Sequence, residues 1–146
     1  MRKLALSILI IGLFCGNVFP FKLGLEFQAG QQMLFGANMR FSDLFELKPQ
    51  LGFIFSDFQD EFDLVVNGNF YLSDLGQLQQ YVGPGINFAF SDETRFGING
   101  NYGLRYDIND ALSIFGQVGL GMIFTPDFFI STYSSGVGLT FYMLNR

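Results

Sequence analysis

The chain has 146 residues, enough for one domain with a sizeable core, and only 14 % of them are charged, against about 25 % in an ordinary soluble domain. It carries 20 Phe and 18 Gly but neither His nor Trp, so the commonest general base and metal ligand is missing. A formal charge of −5 with no basic run excludes a nucleic-acid surface.

The N-terminus reads as a secretory signal over residues 1–20. Arg2 and Lys3 supply the positive start, and Leu4 to Phe14 form an apolar stretch too short to span a membrane. Cleavage is expected between Cys15 and Pro20. It would lower Lys+Arg from 8 to 6 against 13 acids and leave a formal charge of −7. Cys15 is the only cysteine, which rules out an intramolecular disulfide or a cysteine metal cluster. The bulky Phe14 before it argues against lipidation, and Cys15 reads as a small apolar residue of the signal.

From residue 21 to 146 the chain reads as one barrel domain. Apolar residues recur at every second position, the period of a strand, and past the N-terminus no apolar run of about 20 residues suggests a spanning helix. Eight segments carry the pattern. The first sets Phe21, Leu23, Leu25 and Phe27 against Lys22, Gly24, Glu26 and Gln28. The second sets Met33, Phe35, Ala37, Met39 and Phe41 against Gln32, Gly36, Asn38 and Arg40. The third runs Phe45 to Phe55 against Glu46, Lys48, Gln50 and Gly52, and the fourth runs Phe62 to Leu72 against Asp63, Val65, Asn67, Asn69 and Tyr71.

The fifth sets Val82, Pro84, Ile86, Phe88 and Phe90 against Tyr81, Gly83, Gly85 and Asn87. The sixth sets Phe96, Ile98, Tyr102, Leu104 and Tyr106 against Arg95, Asn99, Asn101, Gly103, Arg105 and Asp107. The seventh spans Leu112 to Phe124, with Ser113, Gln117 and Gly119 on its polar parity. The last spans Tyr133 to Met143, with Ser134, Thr140 and Tyr142 on its polar parity. Leu34, Ile54, Phe115 and Ile123 break the pattern on the polar side, and Gly68, Gly100 and Gly116 break it on the apolar side. Segments of this length bracket the roughly 9–11 residues that a tilted strand needs to cross a bilayer.

Ser-Asp follows an apolar residue at Ser42-Asp43, Ser56-Asp57, Ser73-Asp74 and Ser91-Asp92, where both side chains can bond nearby backbone in a turn. Pro49 and Pro84 fall inside strands, where each removes a ladder donor; they are expected near the membrane interface or at bulges.

Which face points inward follows from charge. The polar face collects Lys22, Arg40, Lys48, Arg95 and Arg105 with Glu26, Glu46, Asp63 and Asp107, while the apolar face holds no ionised residue. Balanced charges with many glycines suit a narrow polar interior, and buried charges require partners. These nine residues are expected to form an ion-pair network in the lumen, with Arg40, Arg95 and Arg105 as its main cations. The alternative, a secreted soluble barrel of lipocalin type that binds a hydrophobic ligand, would put the apolar faces inside.

The signal, the eight alternating segments and hairpins such as "YGLRYDINDALSIFGQVGLG" resemble the small outer-membrane β-barrel proteins of the OmpA/OmpX type. The resemblance implies an all-β fold, an eight-stranded antiparallel up-and-down transmembrane β-barrel preceded by a signal peptide. It implies periplasmic termini, short periplasmic turns at Ser42-Asp43, Ser73 to Gly76 and Ile108 to Asp110, and the remaining loops outside. The expected partners are outer-membrane lipid and the barrel assembly machinery, with a surface or envelope protein as a further one. The chain departs from the family in ending Met143-Leu144-Asn145-Arg146 rather than on an aromatic, and no peptidoglycan-binding domain is expected after the barrel.

No catalytic residues are expected, because no Asp or Glu stands in a recognisable pairing with Ser131, Ser134 or Ser135. No cofactor is implied. Asp57, Asp60, Glu61, Asp92 and Glu93 could hold Ca²⁺ or Mg²⁺ only weakly through oxygen and read better as acidic solvated loops. The Gly83-Pro84-Gly85 run lacks the context of a phosphate loop. The expected role is structural, in membrane integrity or surface interaction, with a narrow channel as the alternative within the same fold.

Overall fold

The computed structural model describes residues 22–55, 60–90, 93–124, 127–132 and 134–145, without the side chains of 54, 55, 60, 61 and 145. The expected signal segment, Cys15, Phe21, Tyr133 and the Ser56-Asp57 and Ser91-Asp92 turns lie outside the described residues. So do the carboxylates of Asp57, Asp60, Glu61 and Asp92.

The strands are β1 (Lys22–Gly30), β2 (Met33–Arg40), β3 (Phe45–Phe55), β4 (Asp60–Tyr71), β5 (Gln79–Phe90), β6 (Arg95–Asn109), β7 (Leu112–Ile123), β8 (Phe129–Ser131) and β9 (Gly136–Asn145). Each of β1 to β6 pairs antiparallel with the next, and β7 also pairs with β8 and β9. The β9–β1 ladder from Lys22↔Asn145 to Gly30↔Gly136 closes the sheet, so no edge remains along it. Because β8 and β9 lie along the same side of β7, they make one stave, and the barrel has eight.

The eighth segment therefore differs from the single strand expected over Tyr133 to Met143. Gly121 faces Ser131 and Gln117 faces Gly136, so five steps along the eighth stave match four along β7. The exposed parity changes along that stave, because Ile130 is exposed on β8, whereas Val137, Leu139 and Phe141 are exposed on β9.

The burial pattern identifies the inside. Among the described residues, the buried set contains eight apolar side chains and eighteen polar or charged ones, while large apolar side chains line the exterior of every stave. A water-soluble fold distributes them the other way. On β7 the buried Ser113, Phe115, Gln117 and Gly119 alternate with the exposed Ile114, Val118 and Leu120. The apolar exceptions Leu34, Phe115 and Ile123 follow their parity inward rather than turning to the outer face. Of the exterior glycines, Gly68 lies under the ring of Phe45, which covers the exposed backbone.

The prolines sit in regular strand without a bulge, so of the two expected placements the bulge does not hold. Between β2 and β3 the pairs run from Gly36↔Gln50 to Met39↔Leu47 in unchanged register, with none formed at Lys48 or Pro49. Between β4 and β5 they skip from Asn67↔Gly85 to Phe70↔Val82 in the same way. Each proline stays paired on its other side, at Val66 and at Gly100, so the missing N–H costs the ladder on one flank only.

Turn chemistry agrees with the strand ends. Ser42 Oγ accepts the Leu44 N–H at 3.2 Å, and Asn109 Oδ1 accepts those of Ala111 and Leu112, both at 2.9 Å. Gly76 takes φ +65° in the turn between β4 and β5, a conformation that favours glycine. Aromatic rings gather near both ends of the staves. Phe41, Phe45 and Phe70 meet at the end that carries the chain termini; Phe53, Phe62, Phe90, Phe96 and Phe124 lie around the other. Such paired girdles mark the two interfaces of a membrane barrel.

Candidate functional site in the barrel lumen

Inward parity aims Glu26 from β1, Glu46 and Lys48 from β3 and Arg105 from β6 at the same region of the lumen, and all four are fully buried. Arg105 Nη1 donates to Glu46 Oε2 at 2.6 Å and to the Tyr142 hydroxyl at 2.9 Å. Its Nη2 donates to Glu26 Oε2 at 3.2 Å and to Thr140 Oγ1 at 3.4 Å. Lys48 Nζ pairs with Glu26 Oε1. Two carboxylates and two cations leave the cluster with no net charge.

Neutral donors satisfy the remaining carboxylate lone pairs. Glu26 accepts from Gln50 and Asn38, each at 3.0 Å, and from Thr140 at 2.9 Å. Thr140 is the direct cross-strand partner of Glu26, which explains that contact. Glu46 accepts from Asn69 and the Tyr71 hydroxyl at 2.8 Å and from Asn38 at 3.0 Å. Asn38 thus joins the two carboxylates through one amide nitrogen. Phe115 completes the wall, with Lys48 Nζ 4.3 Å and the Arg105 guanidinium 5.6 Å from its ring centroid. Buried ions hold together only when pairing and hydrogen bonds offset their desolvation, and this cluster supplies both.

Further along the lumen several neutral side chains bond one another. The Tyr81 hydroxyl donates to Gln117 at 2.9 Å, Gln117 Nε2 to the Ser134 carbonyl at 2.7 Å, and Asn101 Nδ2 to Asn67 at 3.1 Å. A Cβ built on Gly103 would overlap the Tyr81 ring, so glycine there makes room for the tyrosine.

The other expected network residues lie elsewhere. Arg40 sits at the turn end, its guanidinium 4.3 Å from the Tyr71 ring centroid, and donates to the carbonyls of Ser42 and Asp43 and to Gln79 Oε1. Lys22 lies 5.5 Å from the Tyr142 centroid. Asp63 accepts from Gln32 at 2.9 Å near the loop end. Arg95 stands opposite Ala89 and Asp107 opposite Ser113, both half-buried. Lys48, rather than Arg40, accompanies Arg105 at the carboxylates. Asn38, Asn69, Tyr71, Thr140, Tyr142 and Phe115 were not singled out from the sequence; inward parity was the signal they carried. Among the described residues, no three of Asp, Glu, His or Cys come together as metal ligands.

Neither a protein-family model nor a curated protein matches this chain. Among solved structures it is similar to the N-terminal β-barrel domain of Pseudomonas aeruginosa OprF, with a TM-score of 0.58 and 16 % identity over 85 % of this chain and 97 % of that one. The correspondence covers the closed barrel, and the polar lumen with its apolar exterior gives that fold its physical sense. This chain has the closed eight-stranded antiparallel barrel fold of that domain.

Proposed function

We propose that the chain is an integral outer-membrane barrel whose lumen is sealed by the Glu26–Lys48–Arg105–Glu46 cluster, and that its role is structural or interactive rather than conductive. One observation carries this reading: the bifurcated contact of Arg105 to Glu46 and Glu26, which ties β6 to β3 and β1 across the lumen. A solute passing there would have to break two ion-paired, hydrogen-bonded carboxylates in a low-dielectric setting. An eight-stranded barrel is already only wide enough for its own side chains. Among the described residues the inward-facing side chains are mostly polar, which disfavours the lipocalin-like reading.

The apolar exterior bounded by two aromatic girdles supports insertion in lipid, and the fold supports delivery by the barrel assembly machinery. With flux blocked, what remains to act is the barrel itself and its connectors. Membrane integrity or contact with another envelope protein follows as the role.

Two measurements test this. The expressed protein should sediment with outer membranes and show heat-modifiable gel mobility after refolding in detergent; a soluble monomer indifferent to detergent would refute the membrane assignment. In planar bilayers the refolded protein should give negligible conductance. Steady single-channel currents would refute the seal and favour the narrow channel.

A further inference from the structure

The carboxylates of the sealing cluster all meet cations, but Asp63 does not. It is 3 % exposed, faces the lumen near the loop end, and has a single hydrogen-bond donor, Gln32, on Oδ2. Its Oδ1 is buried without a partner, and among the described residues no cation lies within ion-pair reach of it. Asp63 borders a cavity of about 20 Å³, which is also lined by Asn99, Ser131 and Ser134. Ser134 Oγ is a second buried oxygen there without a partner. The wall on the other side is apolar, with Leu34 and Ile123 at 1 % and 3 % exposure.

We propose that this recess is a binding site for one alkali-metal cation, held by Asp63 Oδ1 with neutral oxygens of Asn99 and Ser134 around it. A water molecule could hydrogen-bond to Oδ1 but would leave a net negative charge facing an apolar wall, which is costly. A monovalent ion removes both deficits. Its charge matches a single carboxylate, whereas calcium sites draw on several carboxylates and magnesium keeps much of its water shell. The size agrees, because a cavity of this volume takes about one water-sized body. The site lies apart from the sealing cluster and does not depend on whether the lumen conducts.

The test is urea unfolding of the refolded barrel in detergent, in sodium, potassium or choline chloride at equal ionic strength. Cation binding should lower the unfolding constant in sodium or potassium by about tenfold relative to choline when the ion stands at ten times its Kd. Asp63→Asn should abolish the difference, and Asp107→Asn, at the opposite end of the lumen, should keep it. Equal stability of the wild type in all three salts would overturn the proposal, as it would if Asp63 carries a proton or only a water. A salt response that persists in Asp63→Asn would overturn it as well. Should that variant fail to fold, Asp63→Ser provides the same comparison. Conductance is a separate readout, so failure of the cation site and failure of the seal are distinguishable.

Discussion

Arg105 Nη1 lies 2.6 Å from Glu46 Oε2, a contact between residues 59 positions apart that crosses the lumen from β6 to β3. The same guanidinium reaches Glu26 on β1 through Nη2. Strand ladders join neighbours only, so this fork is a direct tie between staves that do not touch. Both carboxylates depend on it, because Lys48 pairs with Glu26 and cannot by itself offset two buried anions.

Removing Arg105 should therefore be costly. Arg105→Met leaves Glu46 with amide and hydroxyl donors but without its ion-pair partner, which costs about 3–5 kcal/mol by the precedent of broken buried pairs. Urea unfolding in detergent, read as loss of heat-modifiable mobility, measures it. The double variant Arg105→Met/Glu46→Gln should recover a substantial part of the loss, because the stranded charge is gone. A single variant as stable as wild type would show that the fork contributes nothing.

Lysine chemistry distinguishes the interior of the lumen from its rim. Lys48 is fully buried against Phe115 and Glu26, whereas Lys22 is half-exposed at the end carrying the termini. A membrane-impermeant amine reagent applied to the refolded barrel should label Lys22 and leave Lys48 unmodified until the barrel is unfolded. Peptide mass mapping reads both sites at once. Equal labelling in the folded state would mean an open, hydrated lumen.

The alternation from Leu23 to Phe141 made the staves and their inward faces legible, since parity alone decides which way a strand side chain points. Height along the barrel was not legible. Arg40, Lys48 and Arg105 share inward parity, but strand register sets which of them meet, and register is a property of paired strands rather than of one. Arg40 is consequently held by turn carbonyls, whereas Lys48 reaches Glu26. The break between β8 and β9 shows as a change of parity, because exposed Ile130 and Val137 lie on opposite parities. Phe115 read as an error in the pattern because parity gave no hint that its ring would face two cations.

Two glycines of β6 on opposite faces give a paired test of lumen packing. A Cβ at Gly103 would overlap the Tyr81 ring, while one at Gly100, on the outer face, would meet nothing within 4 Å. Gly103→Ala should destabilise the barrel by about 1–3 kcal/mol through overpacking. Gly100→Ala should be neutral or slightly stabilising, as its backbone is extended and needs no glycine. Similar unfolding midpoints for the two variants would contradict a tightly filled interior.

The apolar exterior makes the sharpest distinction between lipid and water as the surrounding medium. Leu120 projects outward from β7 with 66 % of its surface exposed and stands opposite Gly100, well inside both strands. Ile108 is also exposed, at 49 %, but lies beside the turn that joins β6 to β7. In a bilayer, Leu120→Arg should cost about 2–4 kcal/mol and Ile108→Arg only about 0–1, because the penalty for a charge falls toward the interface. Reversible unfolding from lipid vesicles gives the two values. A barrel surrounded by water would tolerate arginine equally at both positions, so equal small effects would reject the lipid-facing assignment of this surface.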